Sequence, residues 1–124
     1  MLSRIRQVAV FVHDLDRAVA FYRDTLGLPF LFQAPPGLAF FDCQGVRLLL
    51  DAAAEPPFQP PSSIVYYAVD DIHAAHAALA GHGVAFRDTP HRIATVGGQD
   101  VWMTFFEDPE GNLLALTSEV PAAA

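Results

Sequence analysis

The sequence predicts an α+β fold in which one strand–helix–three-strand plan occurs twice. Apolar and polar residues alternate as in a strand at residues 7–12, apolar residues at helical spacing follow at residues 15–26, and the same succession returns after residue 63. The length of 124 residues and the hydrophobic fraction of 52% suit one domain with its own core and exclude an intrinsically disordered chain. No apolar run approaches the roughly 20 residues that a membrane-spanning helix needs.

The first module is predicted to cover about residues 4–51. Asp14 is a suitable N-cap for its helix, and Gly27 and Pro29 end that helix. Turn residues then separate three short strand-like runs, at residues 29–33, 38–43 and 46–50. Residues 52–62 are rich in alanine, proline and serine, which predicts a linker to the second module.

The second module is predicted to cover about residues 63–119. A strand at residues 64–69 leads to Asp70 and Asp71, which can cap a helix that Gly81 and Gly83 end. Further strands are expected at residues 84–87, 101–106 and 112–117, with residues 89–93 and 94–99 in loops. Neither module can bury both sides of its sheet alone, so we expect the two to pair within a single domain.

Charge and cysteine content narrow the possible partners and the compartment. The seven basic residues are all arginine and face fourteen acidic residues, and the net charge of −7 opposes binding to nucleic acid. The single cysteine, Cys43, excludes an internal disulfide and lies in an apolar stretch, so we expect a buried structural thiol. Because the first residues lead into a strand pattern rather than an apolar signal block, the expected location is the cytoplasm.

Three segments carry a family resemblance: DLDRAVAFYRDTLGL at residues 14–28, VDDI at 69–72 with GHGV at 81–84, and FFEDPEGNLLAL at 105–116. Together they resemble the vicinal oxygen chelate superfamily, which includes glyoxalase I, extradiol dioxygenases, and bleomycin and fosfomycin resistance proteins. The resemblance implies two paired βαβββ modules that form a curled, cup-like mixed sheet with helices outside. It also implies a homodimer and, in members that use a metal, a divalent ion in the cup.

The resemblance places the usual metal ligands at four positions of this sequence: Gln7, Leu49, Ile64 and Ala115. Only Gln7 has a donor atom, and one neutral amide does not hold a divalent cation. We therefore expect no metal and no other cofactor. His73 and His76 have helical spacing for two ligands, but helices of this fold lie outside the cup, so we expect both at a partly solvated helix surface.

Strand alternation predicts a mostly apolar and aromatic cup that suits a small organic molecule. Arg47 would favour an anionic group, unless it forms a salt bridge at the strand edge or at a subunit boundary. Thr104 and Phe106 are expected to face the cup with Trp102, and Phe32 is a possible further wall. The predicted ligand-binding residues are Gln7, Phe11, Phe40, Arg47, Leu49, Tyr66 and Trp102.

Three functions remain open from the sequence. The first is a metal-independent binder of a small, partly aromatic or anionic organic molecule, as in the bleomycin-resistance branch. The second is a lyase, isomerase or dioxygenase-like enzyme acting on a vicinal-oxygen substrate, for which His91 and Tyr66 are the candidate acid–base residues. The third is a dimeric scaffold whose cup is filled by its own side chains.

Overall fold

Two separate mixed sheets, each accompanied by a helix, make up the computed structural model, which describes residues 2–56 and 63–123. The α+β class predicted from the sequence is confirmed. The chain divides into two compact units, Met1–Ser63 and Ile64–Ala124. Of the predicted linker at residues 52–62, positions 57–62 lie outside the described residues. No helix among the described residues has the length and apolar character needed to cross a membrane.

The first unit contains four strands and one helix: β1 (Gln7–Phe11), α1 (Leu15–Ala20), β2 (Phe30–Ala34), β3 (Leu38–Cys43) and β4 (Val46–Asp51). The helix α1 continues into a π-helical turn, Phe21–Thr25. The strands form one sheet with the order β1-β4-β3-β2. Strands β1 and β4 run parallel, whereas β3 is antiparallel to both of its neighbours.

The second unit repeats this plan with one additional strand. Its elements are β5 (Val65–Ala68), α2 (Ile72–Gly81), β6 (Ala85–Phe86), β7 (His91–Val96), β8 (Gln99–Glu107) and β9 (Leu113–Pro121). The order of its sheet is β5-β9-β8-β6, and β7 also pairs with β8. Strands β5 and β9 run parallel, as β1 and β4 do.

Both helices begin at the predicted aspartates. The side chain of Asp14 accepts a hydrogen bond from Arg17 N at 3.1 Å, and that of Asp71 accepts one from Ala74 N at 3.0 Å. Each carboxylate satisfies a backbone N–H that the first helical turn leaves without a partner. The local sequence thus determines where each helix starts.

The predicted loops at residues 89–93 and 94–99 are wrong for residues 91–96 and for Gln99, which lie in strands. Residues 91–96 form β7, an antiparallel hairpin partner of β8, and the turn between them contains Gly97 and Gly98, which both have positive φ. The pairing shifts register between Arg92 and Ala94, and every residue of β7 is exposed. A bulge together with two solvated faces removes the apolar–polar alternation by which a strand is recognised in sequence.

The core of each unit lies between its helix and one face of its sheet. In the first unit the ring of Tyr22 lies 6.2 Å from that of Phe41, and in the second the ring of Phe86 lies 5.2 Å from that of Phe106. The buried sheet residues on these faces are Val10, Ala39, Phe41, Leu48 and Leu50 in the first unit, and Thr104, Phe106, Leu114, Leu116 and Ser118 in the second.

Candidate functional site

The sheet face of the first unit that points away from α1, hereafter the first open face, carries five of the predicted binding residues. Strand register places them in adjacent rows: Gln7 lies beside Arg47, and Leu49 lies between Ala9 and Phe40. Phe11 continues the β1 side of this face. The prediction of which β1 and β4 side chains share one face of the sheet therefore agrees with the structure.

Arg47 lies over an aromatic ring on the first open face. Its Cζ is 5.6 Å from the ring centroid of Phe40, within the range of a cation–π contact. Arg47 is half-buried, and its Nε is buried without a hydrogen-bond partner among the described residues. The acid nearest in register is Asp42, but it accepts a hydrogen bond from Gly45 N at 3.0 Å and forms no ion pair with Arg47. The salt bridge considered for Arg47 is thus not formed within the described part of the chain.

Two aromatic rings form the wall beside Arg47. The rings of Phe32 and Phe40 are 4.8 Å apart with planes inclined at 31°, which is close to a stacked arrangement. Phe40 is half-buried, whereas Phe32 remains 49% exposed although it is apolar. On β1, the ring of Phe11 contacts that of His13 at 4.7 Å. The first open face therefore combines exposed aromatic surface with one cationic group.

The corresponding face of the second unit, hereafter the second open face, carries Tyr66. Its row continues through Ala115 to Phe105, and the rings of Tyr66 and Phe105 meet edge to face at 5.9 Å. His91 lies on the same face in the neighbouring row, opposite Met103 on β8. At its rim, Arg87 Nε donates to Glu107 at 3.0 Å.

The two candidate acid–base residues do not meet. Tyr66 is on β5 and His91 on β7, so β9 and β8 separate them by about 14 Å at the usual strand spacing. His91 Nδ1 forms its own hydrogen bond with Thr89 O at 3.0 Å. A pair this far apart cannot exchange a proton directly.

The predicted facing of Trp102, Thr104 and Phe106 is wrong. All three lie on the helix side of the second sheet: Thr104 and Phe106 are fully buried, and the Trp102 ring contacts His73 of α2 at 5.2 Å. The open-face aromatic that the sequence analysis missed is Phe105. The repeat could have identified it, because Phe105-Phe106-Glu107 matches Phe40-Phe41-Asp42 and Phe40 was assigned to the open face.

A comparison with known families identifies the group to which the sequence belongs. The family model of the Glyoxalase/Bleomycin resistance protein/Dioxygenase superfamily matches residues 4–116. The chain belongs to this superfamily. The resemblance stated from the three sequence segments is thereby confirmed.

Several solved structures are similar to this chain in sequence and fold. TnmS3, an antibiotic binding protein from Streptomyces sp. CB03234, is 27% identical, with 98% of both chains covered and a TM-score of 0.78. A lactoylglutathione lyase from Agrobacterium tumefaciens is 24% identical over 95% of both chains, with a TM-score of 0.74. A superfamily protein from Sphaerobacter thermophilus DSM 20745 is 24% identical over 96% of this chain and 99% of its own, with a TM-score of 0.77. No curated protein matches the sequence.

The side chains present do not fit the divalent ion that metal-using members of the superfamily hold. Of the four positions expected to supply ligands, Leu49, Ile64 and Ala115 have hydrocarbon side chains. The fourth, Gln7, pairs in register with Arg47, whose positive charge on the same face disfavours a cation. The described residues contain no group of three or more His, Cys, Asp or Glu side chains that could hold a metal.

The remaining polar candidates have local packing contacts. His73 and His76 contact Trp102 and Phe86, at 5.2 and 4.2 Å between ring centroids. Cys43 is half-buried rather than fully buried, and burial, with a smaller effect of the Asp42 charge, raises the pKa of its thiol. A raised pKa keeps the thiol protonated and unreactive, which is the opposite of what a nucleophile needs.

Proposed function

We propose that this superfamily member is a metal-independent binding protein for a small organic molecule that is partly aromatic and carries an anionic group. The binding surface is the first open face. The observation that carries the proposal is the guanidinium of Arg47, which lies over the Phe40 ring without an ion pair among the described residues.

The state of Arg47 favours an anionic ligand. A buried N–H without an acceptor costs free energy, and a cation among apolar groups is stabilised when an anion approaches it. The planar guanidinium presents several N–H donors in a geometry that matches a carboxylate or a phosphate. Gln7, the exposed neighbour of Arg47 in register, adds an amide donor at the same end of the face.

The aromatic wall favours a planar group next to that anion. A ring covering the exposed side of Phe32 would bury apolar surface on both partners and continue the near-stacked pair of Phe32 and Phe40. Leu49 lies beside Phe40 and extends the apolar floor. The arrangement therefore suits a flat ligand with its charge at the Arg47 end.

The similarity to TnmS3 supports binding rather than catalysis, because that protein is described as an antibiotic binding protein and covers nearly all of this chain. For the enzymatic alternative, the 14 Å estimated between Tyr66 and His91 leaves no paired acid and base among the candidates. The geometry supports a binder better than an enzyme.

Calorimetric titration with naphthoate and with the neutral, equally shaped naphthamide tests this function. We expect the native protein to bind naphthoate about tenfold more tightly, since a charge-assisted hydrogen bond contributes about 1.5–3 kcal/mol in a shielded site. Arg47→Met should abolish the difference between the two probes. Arg4→Met, which removes the same charge from an exposed position before β1, should preserve it.

Equal affinity of the native protein for both probes would refute recognition of the anion. Binding of neither probe would refute the first open face as a site for flat aromatic anions. Loss of naphthoate binding in Arg4→Met to the same extent as in Arg47→Met would mean that net charge, rather than the Arg47 site, attracts the ligand.

We further propose that the protein is a cytoplasmic homodimer without a nucleic-acid partner. The superfamily resemblance supports the dimer, the single cysteine is compatible with a reducing compartment, and the net charge of −7 disfavours nucleic acid. Light scattering should give a mass twice the 13.4 kDa of one chain. A mass equal to one chain at micromolar concentration would refute the dimer.

A further inference from the structure

The second unit contains a cavity of about 310 Å³ on the helix side of its sheet, where α2 begins against β8 and β9. We propose that it binds a small organic ammonium ion, with the charged nitrogen near Asp70 and an apolar body against Trp102. Its volume is at the lower end of the roughly 300–1,000 Å³ typical of small-molecule sites. This inference is independent of the function proposed above, because the cavity lies on the sheet face opposite Tyr66 and Phe105.

The wall of the cavity is aromatic and aliphatic. Trp102 contributes its indole, and Ile72 and Val120 contribute aliphatic surface beside it. The ring of His73 meets the indole at 68° and 5.2 Å, which holds the indole in place against α2. Of the aromatic side chains, tryptophan attracts an organic cation most strongly, because its π-system presents negative potential on its face.

The charges at the cavity favour a cation. Asp70 and Asp71 both line it, whereas no lysine or arginine does among the described residues. Asp71 is occupied as the N-cap of α2, which offsets the positive end of the helix dipole. Asp70 is exposed and forms no hydrogen bond or ion pair with the described residues, so its carboxylate is available to a ligand.

A nearly buried serine in the cavity wall provides a second, separate polar group for a ligand. Ser118 is only 4% exposed, and its side chain has no hydrogen-bond partner in the part of the chain that the structure describes. It lies directly across from Trp102 in the β8–β9 pairing. Val69 N donates to Thr117 O at 2.9 Å, which places the chain at Asp70 next to Ser118.

These groups complement a primary ammonium. Its N–H groups can donate to the Asp70 carboxylate and to Ser118 Oγ, while a short apolar chain or ring fills the space along Trp102. A carboxylate or phosphate ligand would face Asp70 and Asp71 instead, and like charges disfavour it. The expected ligand class is therefore opposite in charge to that of the first open face.

Trp102 is the only tryptophan of the chain, so its indole N–H signal in a proton–nitrogen NMR spectrum reports on this cavity alone. The probes are phenethylamine and its neutral match phenylethanol. We expect phenethylamine to shift the indole signal saturably, together with the backbone signals of Ile72 and Ser118, and phenylethanol to bind at least about fivefold more weakly.

Two variants and one control extend the test. Asp70→Asn should weaken phenethylamine binding about three- to tenfold and leave phenylethanol unchanged, and the α2 cap is kept because Asp71 is intact. Ser118→Ala should weaken phenethylamine binding by a few-fold. Asp16→Asn removes one negative charge from an exposed position of α1 and should leave phenethylamine binding unchanged.

Equal shifts by the amine and the alcohol would overturn the ammonium assignment. So would the absence of a saturable indole shift, or shifts that centre on Tyr66 and Phe105. The comparison of phenethylamine with phenylethanol is made on the native protein, so this test does not depend on whether a variant folds.

Discussion

Replacing Arg47 by methionine should stabilise the unliganded protein, although it removes an interaction visible in the structure. Methionine keeps the unbranched apolar stem on the floor of the first open face and removes the guanidinium. A residue that serves the fold would lose stability on such a change. A residue held for a ligand should lose none, because its charged group is unsatisfied until the ligand binds.

The contacts of Arg47 give the expected size of the effect. The contact with Phe40, at 5.6 Å, is worth about 0.5–1 kcal/mol, and the variant loses it. The buried Nε without an acceptor costs about 1–3 kcal/mol, and the variant removes this cost. Because Arg47 is only half-buried, we take about 1–1.5 kcal/mol, the lower part of that range, and expect a net stabilisation of about 0.5 kcal/mol.

Urea denaturation followed by circular dichroism measures this difference, which corresponds to about 2 °C in the melting temperature of a chain of this size. Naphthoate at a concentration one hundred times its Kd for the native protein should stabilise the native protein by about 2.7 kcal/mol and the variant, which binds it about tenfold more weakly, by only about 1.4 kcal/mol. A variant less stable than the native protein by more than about 1 kcal/mol would refute the reasoning, since Arg47 would then hold the fold together.

Two further changes test a buried, hydrogen-bonded carboxylate and the half-buried thiol. Asp108 is buried and accepts three hydrogen bonds of 2.8–2.9 Å, two from Asn112 and one from Glu110. In urea denaturation, Asp108→Ala should lower the free energy of unfolding by about 2–4 kcal/mol, and Asp108→Asn should lower it clearly less. Equal losses in the two variants would show that the acceptor oxygen is unimportant. Burial raises the pKa of Cys43, so iodoacetamide should alkylate it more slowly than a free thiol. The thiol ionises at a lower pH in the unfolded chain than in the folded protein. The contribution of Cys43 to stability should therefore be complete below a pH of about 8.5 and be lost as pH rises through the folded pKa. A Cys43→Ala variant whose free energy of unfolding falls equally steeply at alkaline pH would contradict this.

Much of the fold follows from local sequence signals. Asp14 and Asp71 determine the two helix starts, and the predicted strand at residues 38–43 coincides with β3. The hairpin after it needs Gln44 and Gly45, whose φ values of 52° and 94° suit a tight two-residue turn. Strand β7 could not be recognised, because an edge strand with a bulge and two exposed faces has no apolar period.

The facing of β8 shows where sequence alternation stops being informative. Between Val101 and Phe106 both faces of the strand carry large apolar or aromatic side chains, so composition does not distinguish the helix side from the open side. A shift of one residue exchanges the two faces, which is the error made for Trp102. In β1 and β4 the polar side chains of Gln7 and Arg47 marked one face, and there the assignment agrees with the structure.

The internal repeat separates what the fold requires from what a ligand requires. In the matching registers of the two units, Phe41 and Phe106 both lie buried beneath a helix, and Phe40 and Phe105 both lie on an open face. Arg47 has no such counterpart, because its equivalent beside Glu107 is Leu113. The second unit therefore builds the same plan, with β7 as an additional strand, without a cation at this position. The plan does not need Arg47, and its partly buried charge on the first open face supports the proposal that an anion binds there.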